Sequence, residues 1–232
     1  MASSKPSKRE KSLHFKLSLI RHGVTVENQL GIYQGQLDTK LAQEGVIQSK
    51  RLSLAIADIH YSQIICSPLE RTRDTARYAL SQNKYKEEIR MDGRLMERSF
   101  GSWEGKKFTE TAGVPRIGGE KWNDVTSRVK SFLKDVYLSV AQKCEISRER
   151  ASTDVPHILV ITHGGVIATL LRYFKDDYKL HILPASAKMI ENTSITSFML
   201  EISTDKNPKL LSVECLLDRD IEHLKGSIVS HI

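Results

Sequence analysis

Two segments of this 232-residue chain share one design, in which an apolar run of strand-forming residues ends in a histidine and a glycine. The first, residues 17–23, reads Leu-Ser-Leu-Ile-Arg-His-Gly, and the second, residues 157–165, ends in Thr-His-Gly-Gly. In open α/β sheets, ligands bind just outside the carboxyl ends of the strands, and glycine lets the backbone approach an anion closely. The pattern therefore predicts a fold that brings His22 and His163 together at one sheet edge.

The spacing of apolar and turn-forming residues predicts the other elements. Strands are expected at residues 15–20, 63–66 and 157–162, and a closing hairpin at 194–202 and 210–217. Helices are expected over residues 41–58, 69–81, 121–142 and 166–174. We therefore predict an α/β three-layer sandwich, with a mostly parallel central sheet, an antiparallel edge strand and helices on both faces.

Composition indicates one soluble globular domain, because 40% of the residues are hydrophobic and 27% are charged. Residues 1–12 are expected to form a disordered basic tail, and residues 13–232 a single domain. No apolar run approaches the roughly 18 residues of a membrane span, and the N-terminus lacks the apolar core of a signal peptide. These features predict a cytoplasmic protein that is not bound to a membrane.

The cysteines and the net charge indicate which kinds of site and partner to expect. Cys66, Cys144 and Cys215 are widely scattered, which suits neither a disulfide framework nor a zinc site and indicates reduced thiols. The net charge of +7 and pI near 9.2 favour anionic partners. Because no nucleic-acid-binding signature accompanies the charge, we expect small phosphorylated molecules rather than nucleic acid. We take a monomer as the default oligomeric state.

A phosphate-handling chemistry follows from the side chains at the expected strand tips. Arg21 and Arg71 offer planar donor forks that match phosphate oxygens, if the strands that precede them are parallel neighbours. A neutral His22 can attack phosphorus directly, while His163 donates hydrogen bonds to the charge that develops. Glu97 is the carboxyl group best placed to protonate the leaving oxygen. The two arginines supply the positive charge that a metal often provides, so we expect no metal.

Each of these residues also has an ordinary structural interpretation when it is taken alone. His163 could be a hydrogen-bonded histidine at a strand end, and Arg71 could pair with a carboxylate on its own helix. Glu97 could be a surface carboxylate, and Glu104 competes with it for the acid role. The functional interpretation rests on the residues occurring together and in order. The other histidines are interpreted as structural or exposed: His14, His60, His157, His181, His223 and His231.

That ordered set resembles the signature of the histidine phosphatase (phosphoglycerate mutase-like) superfamily. The matching segments are Arg21-His22-Gly23 with Asn28, then residues 67–72 (Ser-Pro-Leu-Glu-Arg-Thr), 95–98 (Leu-Met-Glu-Arg), 118–120 (Gly-Gly-Glu) and 162–164 (Thr-His-Gly). The resemblance runs from about residue 17 to residue 197. It implies that His22 forms the phosphohistidine, that Arg21, Arg71 and His163 hold the phosphate, and that Glu97 is the proton donor. It also implies a substrate pocket lined by Gly23, Asn28, Gln34, Gly35 and Gly164.

Within the superfamily, two segments resemble the phosphatases of the TIGAR-type fructose-2,6-bisphosphatase branch more than the mutases. They are Gln34-Gly35-Gln36 and residues 97–105, which read Glu-Arg-Ser-Phe-Gly-Ser-Trp-Glu-Gly. Residues 192–195 (Asn-Thr-Ser-Ile) and 220–224 (Asp-Ile-Glu-His-Leu) support the resemblance to the TIGAR type. This implies hydrolysis of fructose 2,6-bisphosphate to fructose 6-phosphate and a role in regulating glycolysis. Two alternatives stay open: a phosphoglycerate mutase or bisphosphoglycerate phosphatase, and a catalytically silent phosphate-binding scaffold.

Departures from the family pattern bear on the substrate. Lys121 stands where the family usually has Ser or Thr after Gly-Gly-Glu, and Val24-Thr25 replaces a frequent Glu-Thr or Glu-Ser. We hypothesise that Arg116 and Lys121, in a loop expected to cover the pocket, bind a second phosphate. The terminal Ser-His-Ile is a weak match to a peroxisomal address, and the cytosol remains the expected location.

Overall fold

The computed structural model describes residues 12–147, 155–181 and 189–225, and its core is one six-stranded sheet. The strands lie across the sheet in the order β3-β2-β4-β1-β5-β6. The first four of these are mutually parallel, and β5 runs antiparallel to both of its neighbours. The strands are β1 (Ser12–Arg21), β2 (Gln63–Cys66), β3 (Ile89–Met91), β4 (His157–Thr162), β5 (Ile195–Ser203) and β6 (Leu210–Asp220).

Helices cover both faces of this sheet, which confirms the predicted three-layer architecture. The helices are α1 (Val26–Leu30), α2 (Gln43–Ala55), α3 (Glu70–Ala79), α4 (Trp122–Ser147) and α5 (Gly164–Tyr178). Short 3₁₀ turns lie at Gly93–Leu95, Gly101–Trp103, Phe108–Glu110 and Glu222–Leu224. Within the described ranges, no helix combines the length and apolar character needed to cross a membrane.

Side-chain alternation along the strands divides the core in two. Leu17 and Leu19 of β1 pack in the larger cluster, with apolar residues of α4 and α5. Ile20 faces the other way, into a smaller cluster with residues of α2 and α3 such as Leu52 and Ala76. Successive residues of a strand point to opposite faces, and helices cover both faces of the sheet, so residues 17–20 of this central strand are all buried.

The structure differs from the sequence-based expectation mainly at the ends of elements. The first strand begins at Ser12 rather than at residue 15, because its ladder with β5 continues to the pair Ser12–Ser203. Residue 12 therefore belongs to the sheet, while the rest of the predicted basic tail lies outside the described residues, as does the terminal tripeptide. The sequence predicts a loop with a possible short strand over residues 91–105, whereas the edge strand β3 ends at Met91 and is short and largely exposed.

Strand register places the functional segments at one edge. Arg21 lies opposite Thr162, and Cys66 lies opposite Ile161, so β1, β4 and β2 end side by side. The ladder continues one residue further, where the His22 amide donates to the Thr162 carbonyl at 2.9 Å. The residues that follow the three strands, His22, His163 and Ser67, therefore emerge together.

Candidate active site

The His22 ring is buried at the centre of this edge, with 3% of the residue exposed. Its Nδ1 lies 2.8 Å from the carbonyl oxygen of Gly23. A carbonyl can only accept a hydrogen bond, so Nδ1 carries the ring proton of neutral His22 and Nε2 carries the lone pair. The lone pair of the neutral ring is therefore on Nε2.

His163 lies beside His22, with the ring centroids 5.2 Å apart and the planes inclined by 59°. Its Nε2 is 2.8 Å from the hydroxyl oxygen of Ser67, the residue that follows β2. Its Nδ1 is buried and has no hydrogen-bond partner within the described part of the chain. The two histidines that the sequence repeats predicted to meet are therefore in contact.

Both predicted arginines are fixed by backbone carbonyls and keep one donor unpaired. Arg21 donates through Nη1 to the Ile190 carbonyl at 2.7 Å, and Arg71 donates to the carbonyls of Gly35 and Leu37, each at 2.8 Å. The Nε atoms of both are buried and unpaired among residues 12–147, 155–181 and 189–225. Arg71 is 1% exposed, so it is not a surface partner of a carboxylate on its own helix.

Burial and the arginines set the protonation of the two histidines. Burial is the main reason that the pKa of His22 lies well below its ordinary value, and the positive charges of Arg21 and Arg71 lower it further. The pKa of His163 is also lowered well below the usual value, first by burial and then by Arg71, His22 and Arg21. Both rings are therefore neutral near pH 7.

Glu97 reaches the site across the first turn of α5. Its Oε2 accepts from the Gly165 amide at 3.1 Å, and its Oε1 accepts from the Arg98 amide at 2.8 Å. A Cβ on Gly165 would lie 2.2 Å from Oε1, so only glycine at this helical position leaves room for the carboxylate. Glu97 also interacts electrostatically with both Arg21 and Arg71, whose pKa values it raises.

The competing carboxylate, Glu104, accepts hydrogen bonds from two other loops. Its Oε1 accepts from the amides of Gln36 and Phe100, at 3.2 and 2.8 Å, and from the Ser99 hydroxyl at 3.0 Å. A Cβ on Gly35, whose φ is +54°, would lie 2.2 Å from the same oxygen. Glu104 therefore joins the loop of Gly35 to the loop of Glu97.

Each of the remaining residues predicted to line the pocket makes or allows a close local contact. Asn28 caps α1 by accepting from the Thr25 amide at 3.2 Å, and the Gln34 side chain accepts from the Thr39 hydroxyl at 2.6 Å. The Gly35 carbonyl receives Arg71, and Gly164 lies against Arg21, whose Nε would be 3.5 Å from an added Cβ. At Gly23, a Cβ would approach the Gly45 carbonyl oxygen to 2.7 Å.

Sequence reasoning missed an ion pair that holds the Glu97 segment. Arg128 of α4 makes a bidentate pair with Glu120, through Nε at 2.8 Å and Nη2 at 3.0 Å, and also donates to the Glu97 carbonyl at 3.2 Å. Glu120 stood in the Gly-Gly-Glu motif without an assigned role, and nothing in the sequence marks Arg128. The pairing depends on how α4 packs.

The two residues hypothesised to bind a second phosphate differ in their surroundings. Arg116 donates to the carbonyls of Ser99 and Glu120, at 3.2 and 3.1 Å. Arg98 donates to the same Glu120 carbonyl through Nε at 2.9 Å, so two guanidinium groups meet at one oxygen. Lys121 is exposed just before α4, where its amide donates to Asp124.

Comparisons with known proteins show which proteins this chain resembles. The family model described as histidine phosphatase superfamily (branch 1) matches residues 17–213. Fructose-2,6-bisphosphatase TIGAR B of Danio rerio is 28% identical over 232 residues, which cover 84% of this chain and 90% of the relative. The adenosylcobalamin/alpha-ribazole phosphatase of Salmonella typhimurium is 29% identical over 171 residues, covering 67% of this chain and 77% of that one.

A solved structure extends the comparison to the fold. The mycobacterial glucosyl-3-phosphoglycerate phosphatase, in a structure described as its complex with VO3, is 25% identical and superposes with a TM-score of 0.64. The match covers 85% of this chain and 98% of that chain. The three similar proteins named here are all phosphatases, and their names give three different substrates.

Proposed function

Since this chain belongs to the histidine phosphatase superfamily, we propose that it is a metal-independent phosphatase that hydrolyses a small phosphorylated metabolite through a phosphohistidine on His22. The observation that carries the proposal is a set of three buried nitrogens beside His22 that nothing in the described protein satisfies: Arg21 Nε, Arg71 Nε and His163 Nδ1. Leaving such a group unpaired costs about 1–3 kcal/mol. A phosphoryl group, with its several acceptor oxygens, would satisfy all three.

In the first step, His22 Nε2 forms a bond to phosphorus as the bond from phosphorus to the leaving oxygen breaks. Arg21, Arg71 and His163 hold the remaining oxygens, and Glu97 in its acid form passes its proton to the departing alcohol. The Gly23 carbonyl, 2.8 Å from Nδ1, accepts the hydrogen bond of the ring as the ring gains positive charge. The products of this step are the free alcohol and a phosphohistidine.

In the second step, water attacks the phosphohistidine. The Glu97 carboxylate takes the proton from the water, the new bond from oxygen to phosphorus forms, and the bond from phosphorus to Nε2 breaks. The electron pair returns to Nε2, inorganic phosphate leaves, and Glu97 regains its acid form. The same carboxyl group therefore acts as acid and then as base, and no further cofactor enters this scheme.

We propose fructose 2,6-bisphosphate as the substrate. Support comes from the relative named as a fructose-2,6-bisphosphatase and from the positive charge beside Glu97. There Arg98 and Arg116 donate to one carbonyl oxygen, while the Glu120 carboxylate is engaged by Arg128. A substrate with a second anionic group would neutralise this pair of guanidinium groups better than a monophosphate would.

Phosphate release without added metal tests the function. The panel contains fructose 2,6-bisphosphate, 2,3-bisphosphoglycerate, phosphoglycolate and a phosphotyrosine peptide, with His22→Ala alongside. We expect release that is fastest for fructose 2,6-bisphosphate and abolished by the substitution. Rapid isomerisation of 3-phosphoglycerate with little net phosphate release would instead favour the mutase. A folded protein that binds phosphate but turns over no substrate would favour the scaffold.

The substrate proposal has its own test in Arg116. Arg116→Ala should reduce the preference for fructose 2,6-bisphosphate over a monophosphate such as p-nitrophenyl phosphate by about tenfold in kcat/KM, the loss of one charge-assisted contact. Arg90→Ala, at an exposed arginine of β3, is the matched control and should leave the preference unchanged. Unchanged discrimination in Arg116→Ala would remove this residue from substrate recognition.

A further inference from the structure

Thr193 holds an uncommon backbone conformation immediately before β5. Its φ is +59°, in the left-handed region that a β-branched residue rarely enters, and it is fully buried. Strain of this kind persists only where the surroundings hold it, and it concentrates at functional sites. Thr193 therefore needs a specific constraint, and its neighbours show what the conformation achieves.

Residues 192–194 form hydrogen bonds with the end of β1, which leads to the proposed nucleophile His22 and is called the nucleophile strand below. The Thr193 amide donates to the Arg21 carbonyl at 3.0 Å, and the Asn192 side chain donates to the His22 carbonyl at 2.8 Å. The Ser194 carbonyl accepts from the Arg21 amide at 3.4 Å. The backbone of Arg21 and His22 is thus held by hydrogen bonds to residues 192–194, and the geometry of that segment depends on Thr193.

The side chain of Thr193 contacts the 3₁₀ turn that follows β6, while the Ser194 amide donates to the Glu191 carbonyl at 3.1 Å. The Thr193 hydroxyl lies 3.0 Å from Nε2 of His223, which belongs to the turn Glu222–Leu224. That turn is anchored on α2, where Arg51 Nη1 donates to the Leu224 carbonyl at 2.9 Å. A continuous chain of contacts therefore runs from α2 through His223 and Thr193 to the nucleophile strand.

We propose that His223 is a positioning residue for the nucleophile. By bonding to Thr193 it holds the left-handed backbone that fixes the carbonyls of Arg21 and His22, and so aims Nε2 at phosphorus. This rests on the proposed role of His22 as nucleophile. Displacements of about 1 Å in a catalytic group can cost a hundredfold in rate, so a residue that touches no substrate can control the chemical step.

Steady-state kinetics of His223 variants test the positioning role. We expect His223→Ala to lower kcat about tenfold or more, with KM changed less than about twofold, because phosphate binding by the guanidinium groups is retained. His223→Gln, whose amide reaches the Nε2 position and can donate or accept, should recover kcat to within about threefold. His60→Ala is the control, because His60 is exposed and precedes the amino end of β2, at the sheet edge opposite the site.

Thr193→Gly makes the test specific, because glycine adopts a positive φ without strain. Measured against Thr193→Gly alone, the added His223→Ala change should cost less than about threefold. An equal loss in both backgrounds, failure of His223→Gln to restore kcat, or unchanged kcat in folded His223→Ala would each overturn the proposal. If His223→Ala alone does not fold, the double variant and His223→Gln still decide the question.

Hydrogen exchange separates this proposal from the proposed function. The amide of His22 donates to the Thr162 carbonyl, and its protection reports how firmly the strand end is held. We expect faster exchange of residues 20–23 in His223→Ala than in the wild type or His223→Gln, whether or not the protein hydrolyses any substrate. An inactive wild type would refute the proposed function, whereas unaltered exchange in His223→Ala would refute the positioning role.

Discussion

At His22, burial and two neighbouring arginines act in the same direction, and a single backbone carbonyl opposes them. Burial and the charges of Arg21 and Arg71 lower the pKa, while the bond to the Gly23 carbonyl raises it. The carbonyl does not restore a charged ring, but it selects which nitrogen keeps the proton. Neutrality and the correct tautomer therefore come from different groups, and both are required for attack through Nε2.

The acid role of Glu97 predicts a dependence on the leaving group. Glu97→Gln keeps an acceptor for the Gly165 amide but has no proton to give, so kcat on an alkyl phosphate such as fructose 2,6-bisphosphate should fall about a hundredfold or more. p-Nitrophenolate leaves without protonation, so turnover of p-nitrophenyl phosphate should fall much less. Steady-state kinetics on both substrates check this, and equal losses would argue against Glu97 as the acid.

The sequence predicted the reactive groups far better than their supports. Arg21, His22 and His163 occur in short motifs at strand ends, where topology dictates their position. Arg128 lies in no motif, and Thr193 lies in a segment that resembles the family but predicted no contact, because the contacts of both are made at large sequence separation. Arg128 lies in helix α4 and pairs with Glu120, and Thr193 lies between β1 and the turn that contains His223.

Among the elements, the junction of the Glu97 loop with α5 shows how tightly the acid is held. Helix α5 begins at Gly164 with no side-chain cap from His163, and Glu97 supplies an acceptor to the Gly165 amide. The contact serves helix and catalyst together, since it satisfies a free N-terminal amide of the helix and orients the carboxyl group. It is possible only because residue 165 has no Cβ.

Gly165→Ala should therefore impair catalysis more than folding. Alanine is the better helix former by roughly 1 kcal/mol, but its Cβ would displace Glu97, and we expect kcat to fall about tenfold or more while Tm changes by only a few degrees. Gly93→Ala, where an added Cβ meets nothing within 4 Å, is the matched control for activity. Wild-type kcat in Gly165→Ala would show that the carboxylate is not confined as described.

Helices and buried strands were predicted well because their periodicity is a property of the sequence itself. The predicted strand at 63–66 coincides with β2, and the predicted helix at 121–142 begins one residue before α4 and ends five residues before it. The boundaries of β1 and the existence of β3 were not predicted. Both depend on which strand lies alongside, and a three-residue exposed edge strand has no pattern of its own.

Across the whole molecule, neutral histidines are buried on folding and link stability to pH. Burial, with the nearby charge of Lys16, lowers the pKa of His157 to about 4, and its Nε2 bonds to the Ser18 hydroxyl at 2.8 Å. His22 and His163 also have lowered pKa values. In the unfolded chain each histidine has a pKa near 6.5. Below that pH the unfolded state binds protons that the folded state does not bind, so the unfolded state is favoured.

The free energy of unfolding should therefore be insensitive to these histidines above about pH 6.5 and fall as the pH drops below it. Each contributes a slope of up to about 1.4 kcal/mol per pH unit, which for His157 ends near pH 4. Urea unfolding between pH 7 and 5 measures this. His157→Gln, which keeps a polar partner for Ser18 but cannot titrate, should flatten the slope by about one proton, and an unaltered slope would contradict the assignment.

The central claim is that His22 accepts the phosphoryl group, and rapid-quench trapping of the phosphoenzyme tests it most directly. The enzyme is mixed with ³²P-labelled substrate without added metal, quenched in alkali within milliseconds, digested and mapped. We predict label that is stable to alkali and labile to acid, located on His22 and discharged at least as fast as turnover. Turnover with no trapped label, or label on another residue, would contradict the account.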